Sequence, residues 1–197
     1  MSYSDFDLKK AKSAFNLNIV EKEDLFSKIE RVEISPLLAE ILQQNVPLAL
    51  AIGTEKANSE LIIVNFFLEL KRRSPISFFS GIEFTVDKEK GLNGFCDFIV
   101  SQSPEQLFLD TPILAVVEAK NERIVSGLGQ CVAEMVAAKI YNEREGKPLP
   151  VIYGAVTTGQ AWKFLRLQGD IVYIDLADYY IDNPGKILGI LVGMVGH

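Results

Sequence analysis

Three charged residues stand in two otherwise apolar runs, and their types fit a cation site. Asp97 lies within Gly94-Phe95-Cys96-Asp97-Phe98-Ile99-Val100, and Glu118 and Lys120 close Ile113-Leu114-Ala115-Val116-Val117-Glu118-Ala119-Lys120. Side chains alternate along a strand, so Glu118 and Lys120 share one face while Val117 and Ala119 point to the other. Carboxylate oxygens are hard ligands suited to a hard divalent metal, and an amine beside them adds a fixed positive charge.

Bringing Asp97 to Glu118 requires a hairpin. Pro104 to Pro112 is rich in turn and strand-ending residues, which predicts an antiparallel pair with a long connection. With Val100 opposite residue 115 or 116, Asp97 falls opposite Glu118 or Ala119, across a strand spacing of about 4.8 Å. Both carboxylates and the Lys120 amine then meet at one end of the pair.

The chemistry is narrowed further by what is missing. His197, at the last position, is the only histidine. A Ser-His-Asp triad, a Cys-His pair, a His-rich zinc site and a histidine general base are therefore excluded from the interior. Cys96 and Cys131 fall in expected core elements, where a free thiol acts as a small hydrophobe; a reducing cytoplasm fits. The start, Met1-Ser2-Tyr3-Ser4-Asp5, carries no basic region followed by an apolar run, so no secretory signal is expected. The apolar tail Ile187 to Val195 is too short to span a bilayer, and no membrane partner is expected. At 197 residues the chain is expected to be a single domain. A formal charge of −6 argues against broad, nonspecific nucleic-acid binding.

Periodicity supplies the remaining elements. Residues 5 to 16 and 22 to 32 read as short amphipathic helices. Ser35-Pro36 opens a helix towards Asn45 in the N-cap and N1 pattern, and Pro47 is expected to break it. Leu48 to Gly53 reads as a short strand or a buried connection. Thr54 is an N-cap candidate for a helix to Arg73 along one side of which Leu61, Val64, Phe67, Leu68 and Lys71 lie as a stripe. Glu60 falls at the margin of that stripe or within it, either as a border residue reaching water or as a buried carboxylate. Strands follow over Ser77 to Val86, with Glu83 midway, and over the two apolar runs. A helix from Ser126 to about Glu145 carries Gln130 in its first turns, close behind Lys120. Val151 to Thr157 is expected as a crossover strand parallel to its predecessor. Ala161 to Leu167 and Ile171 to Leu176 form a hairpin, and Pro184 opens an apolar helix that packs on the domain or on a second copy.

The order helix, strand, strand, strand, helix, strand, with Glu60 on the helix, Asp97 on the second strand, Glu118-Ala119-Lys120 on the third and Gln130 in the next helix, resembles the PD-(D/E)XK nuclease superfamily. The resemblance covers about residues 54–167 and is nearest to the nuclease domains of type I restriction enzymes. Gly154 to Phe164 is similar to the strand and hairpin that follow the Gln-bearing helix there, while Cys96 stands where a proline would precede the Asp. It implies an α/β fold: a restriction endonuclease-like αβββαβ core with a mixed central sheet flanked by helices, an N-terminal helical extension (1–53), and a C-terminal β-hairpin and helix (168–197). It further implies Mg²⁺, with Mn²⁺ as substitute, held by Asp97, Glu118 and Glu60, and hydrolysis of DNA phosphodiester bonds. Lys120 would orient or deprotonate the attacking water or stabilise the phosphate, and Gln130 would position Lys120 or contact the DNA backbone. The alternative is a catalytically inactive domain of this fold that binds nucleic acid or a partner protein. A homodimer or a partner subunit is compatible with either.

Overall fold

The computed structural model describes residues 1–196; the sole histidine, His197, lies outside the described residues. In chain order the elements are α1 (Leu8–Ala14), β1 (Asn18–Lys22), α2 (Pro36–Ile52), α3 (Glu55–Asn58), a π-helical turn (Ser59–Ile63), α4 (Val64–Arg73), β2 (Ser77–Glu83), β3 (Phe95–Ser101), β4 (Ile113–Ala119), α5 (Ile124–Arg144), β5 (Ile152–Thr157), β6 (Ala161–Gln168), β7 (Ile171–Asp175), β8 (Tyr179–Tyr180) and α6 (Pro184–Val195). The strands form one mixed sheet in the order β1-β7-β6-β5-β4-β3-β2, with β8 paired to β6. β4 and β5, joined by the α5 crossover, run parallel, β1 and β7 also pair in parallel, and every other pair is antiparallel.

β4 is buried along its whole length because helices cover both faces of the sheet. Ala115, Val117 and Ala119 pack with α2, α4 and α6, whereas Ile113 and Val116 pack with α5 and the N-terminal segment. Such two-sided burial explains a near-continuous apolar run. α6 resolves the choice posed by its apolar sequence: Ile187, Leu188, Ile190 and Leu191 are buried in this chain's own core. Among the described residues no helix is long and apolar enough to cross a membrane.

Four expectations are corrected. The N-terminal region is not wholly helical, since β1 joins the sheet as an edge strand parallel to β7. Residues 22–32 form the end of β1 followed by turns and extended chain instead of a helix. Their backbone groups find long-range partners: Phe26 N–H donates to Asp175 Oδ2 at 3.2 Å, and Lys186 Nζ donates to the carbonyls of Phe26, Ser27 and Ile29. Those bonds satisfy groups that a helix would otherwise have to satisfy.

Pro47, in turn, does not end α2, which continues to a left-handed Gly53 cap. Pro47 and Gln43 both lie on the solvent side, so the carbonyl that the missing N–H leaves free is open to water. Lastly, Thr54 to Arg73 is not one regular helix. The π-helical turn disturbs the ladder at Leu61, whose carbonyl accepts from the side-chain amides of Asn45 and Asn65, each at 2.9 Å. This extra residue in the turn changes the phase of everything before it, and Glu60 emerges exposed.

Glu69 fastens α4 to the start of α2. It is 2% exposed. Its Oε1 accepts from Ser35 N at 3.2 Å and from Arg73 Nε at 2.9 Å, and its Oε2 accepts from Ser35 Oγ at 2.8 Å. The Ser35 hydroxyl in turn accepts from Leu38 N as the α2 N-cap. Burial opposes the charge, but the bonds from Arg73 and Ser35 outweigh it and hold the carboxyl below its usual value. A carboxyl depressed in the folded state stabilises above the ordinary carboxylate range and loses that contribution as pH falls through its folded value. Glu69→Ala is expected to cost about 3 kcal/mol in urea unfolding at neutral pH. The difference from wild type should shrink below pH of about 4, and a constant difference would remove the charge from the explanation.

Candidate active site

The β3–β4 register is Phe98↔Val117, Ile99↔Val116 and Val100↔Ala115, with a bulge at Val100/Ser101. One more step sets Asp97 against Glu118, as the hairpin reading expects, but the regular ladder stops short of it. Cys96 and Ile99, three residues apart, both pack on the α5 side, so strand alternation is broken between them. Asp97 Oδ2 instead accepts the Ala119 N–H at 2.7 Å. The side chain thereby replaces a main-chain acceptor where β3 leaves β4, and Oδ1 remains for another partner.

Glu118 is 2% exposed, on the α5 side of β4. Its Oε1 accepts from Lys120 Nζ, while Oε2 is buried with no hydrogen-bond partner. Burial first, and the charge of Asp97 second, push the Glu118 carboxyl up to about 8 despite the opposing pull of Lys120. Lys120 shows the converse balance: burial disfavours its charge, and Glu118 more than offsets this, raising it above its usual value. Lys120 Nζ also donates to Gln130 Oε1 at 3.4 Å, so Gln130 belongs to the group and is no ordinary surface amide.

Glu134 is the group that sequence reasoning missed. It lies one turn beyond Gln130, is 0% exposed, and its Oε1 accepts from Gln130 Nε2 at 3.0 Å. Burial, the neighbouring Glu118 charge and the carboxyl contact with Glu118 raise its carboxyl well above the usual range, and its Oε2, like that of Glu118, has no N–H donor. The available signal was the Gln130/Glu134 spacing of four on a helix, which places both on one face.

α5 approaches the strand ends closely because it carries glycine where Lys120 passes. A Cβ on Gly127 would lie 2.7 Å from Val156 Cγ1 and 3.1 Å from both Cγ and Cε of Lys120. Alanine normally favours a helix over glycine by up to about 1 kcal/mol. Here Gly127→Ala is expected instead to cost about 2 kcal/mol in thermal unfolding, because the contact with branched Val156 cannot relax freely. A stabilised variant would show that the passage is loose.

Two open clefts flank these side chains. One, of about 300 Å³, is lined by Glu55, Lys56, Ser59, Glu60, Ser80, Gly81, Asp97 and Phe98. The other is lined by Glu55, Lys120, Asn121, Glu122, Arg123 and Ser126. Glu60 therefore shares a cleft with Asp97, yet it is exposed and paired with Lys56 at 3.5 Å. Glu55 borders both clefts, and its charge acts on Glu118 and on Lys120. Glu83, on β2, is exposed and pairs across to Phe95, outside both linings.

Among the described residues no group of three or more His, Cys, Asp or Glu side chains forms a metal-ligand cluster. The donors that do meet, Asp97 and Glu118, fit a cation satisfied by one or two carboxylates and several waters, which is the habit of Mg²⁺ and not of structural zinc. A cation there would offset the repulsion among Asp97, Glu118 and Glu134 that holds the Glu118 and Glu134 carboxyls up. Compared with models of known protein families and with curated proteins, the chain matches none.

Proposed function

We propose that the chain is a Mg²⁺-dependent nuclease that hydrolyses DNA phosphodiester bonds on a restriction endonuclease-like core. The observation that carries this reading is the buried Glu118 carboxyl, bonded to the Lys120 ammonium, in contact with the Glu134 carboxyl and within reach of the Asp97 charge. A purely structural sheet end has no use for that arrangement. The α4-to-β5 order of helix, three strands, helix and strand supports it, as does the meeting of Asp97, Glu118, Lys120 and Gln130.

Asp97 and Glu118 would hold the metal, with Glu60 and Glu55 at the cleft beside Asp97. When bound, Mg²⁺ or Mn²⁺ supplies neutralisation of phosphate charge and a more acidic attacking water. Lys120, tethered by Glu118 and Gln130, keeps one N–H for a phosphate oxygen or the attacking water. No histidine is needed for either role.

The test is incubation of purified protein with plasmid, linear and single-stranded DNA in the presence of Mg²⁺ or Mn²⁺. Chelator-sensitive cleavage is expected, and intact DNA under every condition would overturn the reading. A second reading, the same fold binding a partner without cutting, is favoured by Leu37, Leu48, Leu50 and Ile52, which α2 leaves exposed.

A further inference from the structure

We propose that Glu134 is a positioning residue, which sets the orientation of the Gln130 amide and through it the place of the Lys120 ammonium. The inference rests on the nuclease reading only for the purpose of the positioning; the geometry itself lies in this chain. Glu134 sits in the middle of a helix face whose neighbours Cys131, Val132, Ala133 and Met135 are all 0% exposed. A carboxylate at such a position costs stability compared with an apolar residue of similar volume. Packing therefore gives no reason for it, whereas its contacts with Gln130 and with the Glu118 carboxyl do.

That bond has a direction. Glu134 Oε1 accepts from the NH₂ end of the Gln130 amide, at 3.0 Å, while the other oxygen, Oε2, has no N–H donor and is left to the carboxyl contact with Glu118. The amide oxygen is then turned towards Lys120 Nζ, at 3.4 Å. A reversed amide would set its own donors against the ammonium. Lys120 is thus fixed from two sides, by Glu118 on its own strand and by Gln130 across the gap to α5. Gly127, one turn before Cys131 on the same helix, leaves room for the Lys120 stem. A long, flexible lysine otherwise loses considerable rotamer entropy on being held, and a second tether lowers what remains to be lost in the reaction.

The experiment compares wild type with Glu134→Gln, Gln130→Met and the exchange Gln130→Glu with Glu134→Gln. The exchange restores a donor at 134, an acceptor facing Lys120 and the same total charge. The first readout needs no activity: the side-chain NMR signal of Lys120 in lysine-labelled, metal-free protein, assigned by its loss in Lys120→Arg. Glu134→Gln and Gln130→Met should each shift this signal and narrow it as the side chain is freed, and the exchange should return it towards wild type. The second readout is Mn²⁺-supported cleavage, where each single variant should lower kcat about 10- to 100-fold with KM for DNA little changed, and the exchange should recover most of it.

A Lys120 signal unmoved by both single variants would overturn the positioning role, whether or not the protein cuts DNA. Absence of cleavage by wild type would instead overturn the nuclease reading and leave the NMR result to decide on Glu134. Should Glu134→Gln fail to fold, Gln130→Met breaks the same link from a half-buried position and carries the decision.

Discussion

Lys120→Ala is expected to bind Mn²⁺ at least as tightly as wild type and to cleave DNA about 10²- to 10³-fold more slowly. The two effects have one origin. The ammonium occupies Glu118 Oε1 and places a positive charge where a divalent cation would sit, so its removal frees a ligand oxygen and relieves repulsion. The same removal deletes the cation that is bonded to both Glu118 and Gln130 and can meet charge on a phosphate. Calorimetry with Mn²⁺ and single-turnover cleavage separate the effects. Unchanged cleavage would remove Lys120 from the reaction, and lost Mn²⁺ binding would show that the lysine organises the carboxylates instead of competing for them.

Asp97→Asn should abolish the Mn²⁺ heat and with it cleavage, while the melting temperature stays near that of wild type. An asparagine oxygen still accepts the Ala119 N–H that Asp97 Oδ2 now takes at 2.7 Å, so the strand junction survives. What is lost is a negative charge close to Glu118, whose own carboxyl is raised in part by it. Hard cations bind amide oxygen less strongly than carboxylate, and a site with two protein carboxylates has little reserve. An unchanged heat would place the cation elsewhere or nowhere. A collapsed melting temperature would make Asp97 a structural residue first.

Much of the arrangement was legible locally. A period of two put Glu118 and Lys120 on one face, and the apolar run with its turn residues gave the hairpin and a register that the structure reproduces at Val100↔Ala115. Caps were legible for the same reason: Ser35 and Thr54 accept from Leu38 N and Ala57 N, bonds that span three residues. The α5 crossover and the parallel β4–β5 pair followed from a long helix between two apolar runs.

Other features were out of reach of such signals. Pro47 reads as a helix stop, and stays inside α2 only because its side of the helix faces water. Residues 22–32 read as amphipathic helix, but Asp175 and Lys186, about 150 residues away in sequence, supply their hydrogen bonds. Glu60 was placed by a regular period of 3.6, which the π-helical turn interrupts.

The sequence by itself determined the chemistry on offer: two carboxylates and a lysine on adjoining strands, and no interior histidine. Tertiary structure alone decided which groups those residues meet. It turned Asp97 into the gap between β3 and β4, set the Glu118 carboxyl against that of Glu134, and buried Glu134 behind Gln130. The reason is one of range. Period, caps and turns are written within a few residues, whereas the phase of a helix against a sheet, and hence the burial and partners of a charge, are set by packing between distant segments.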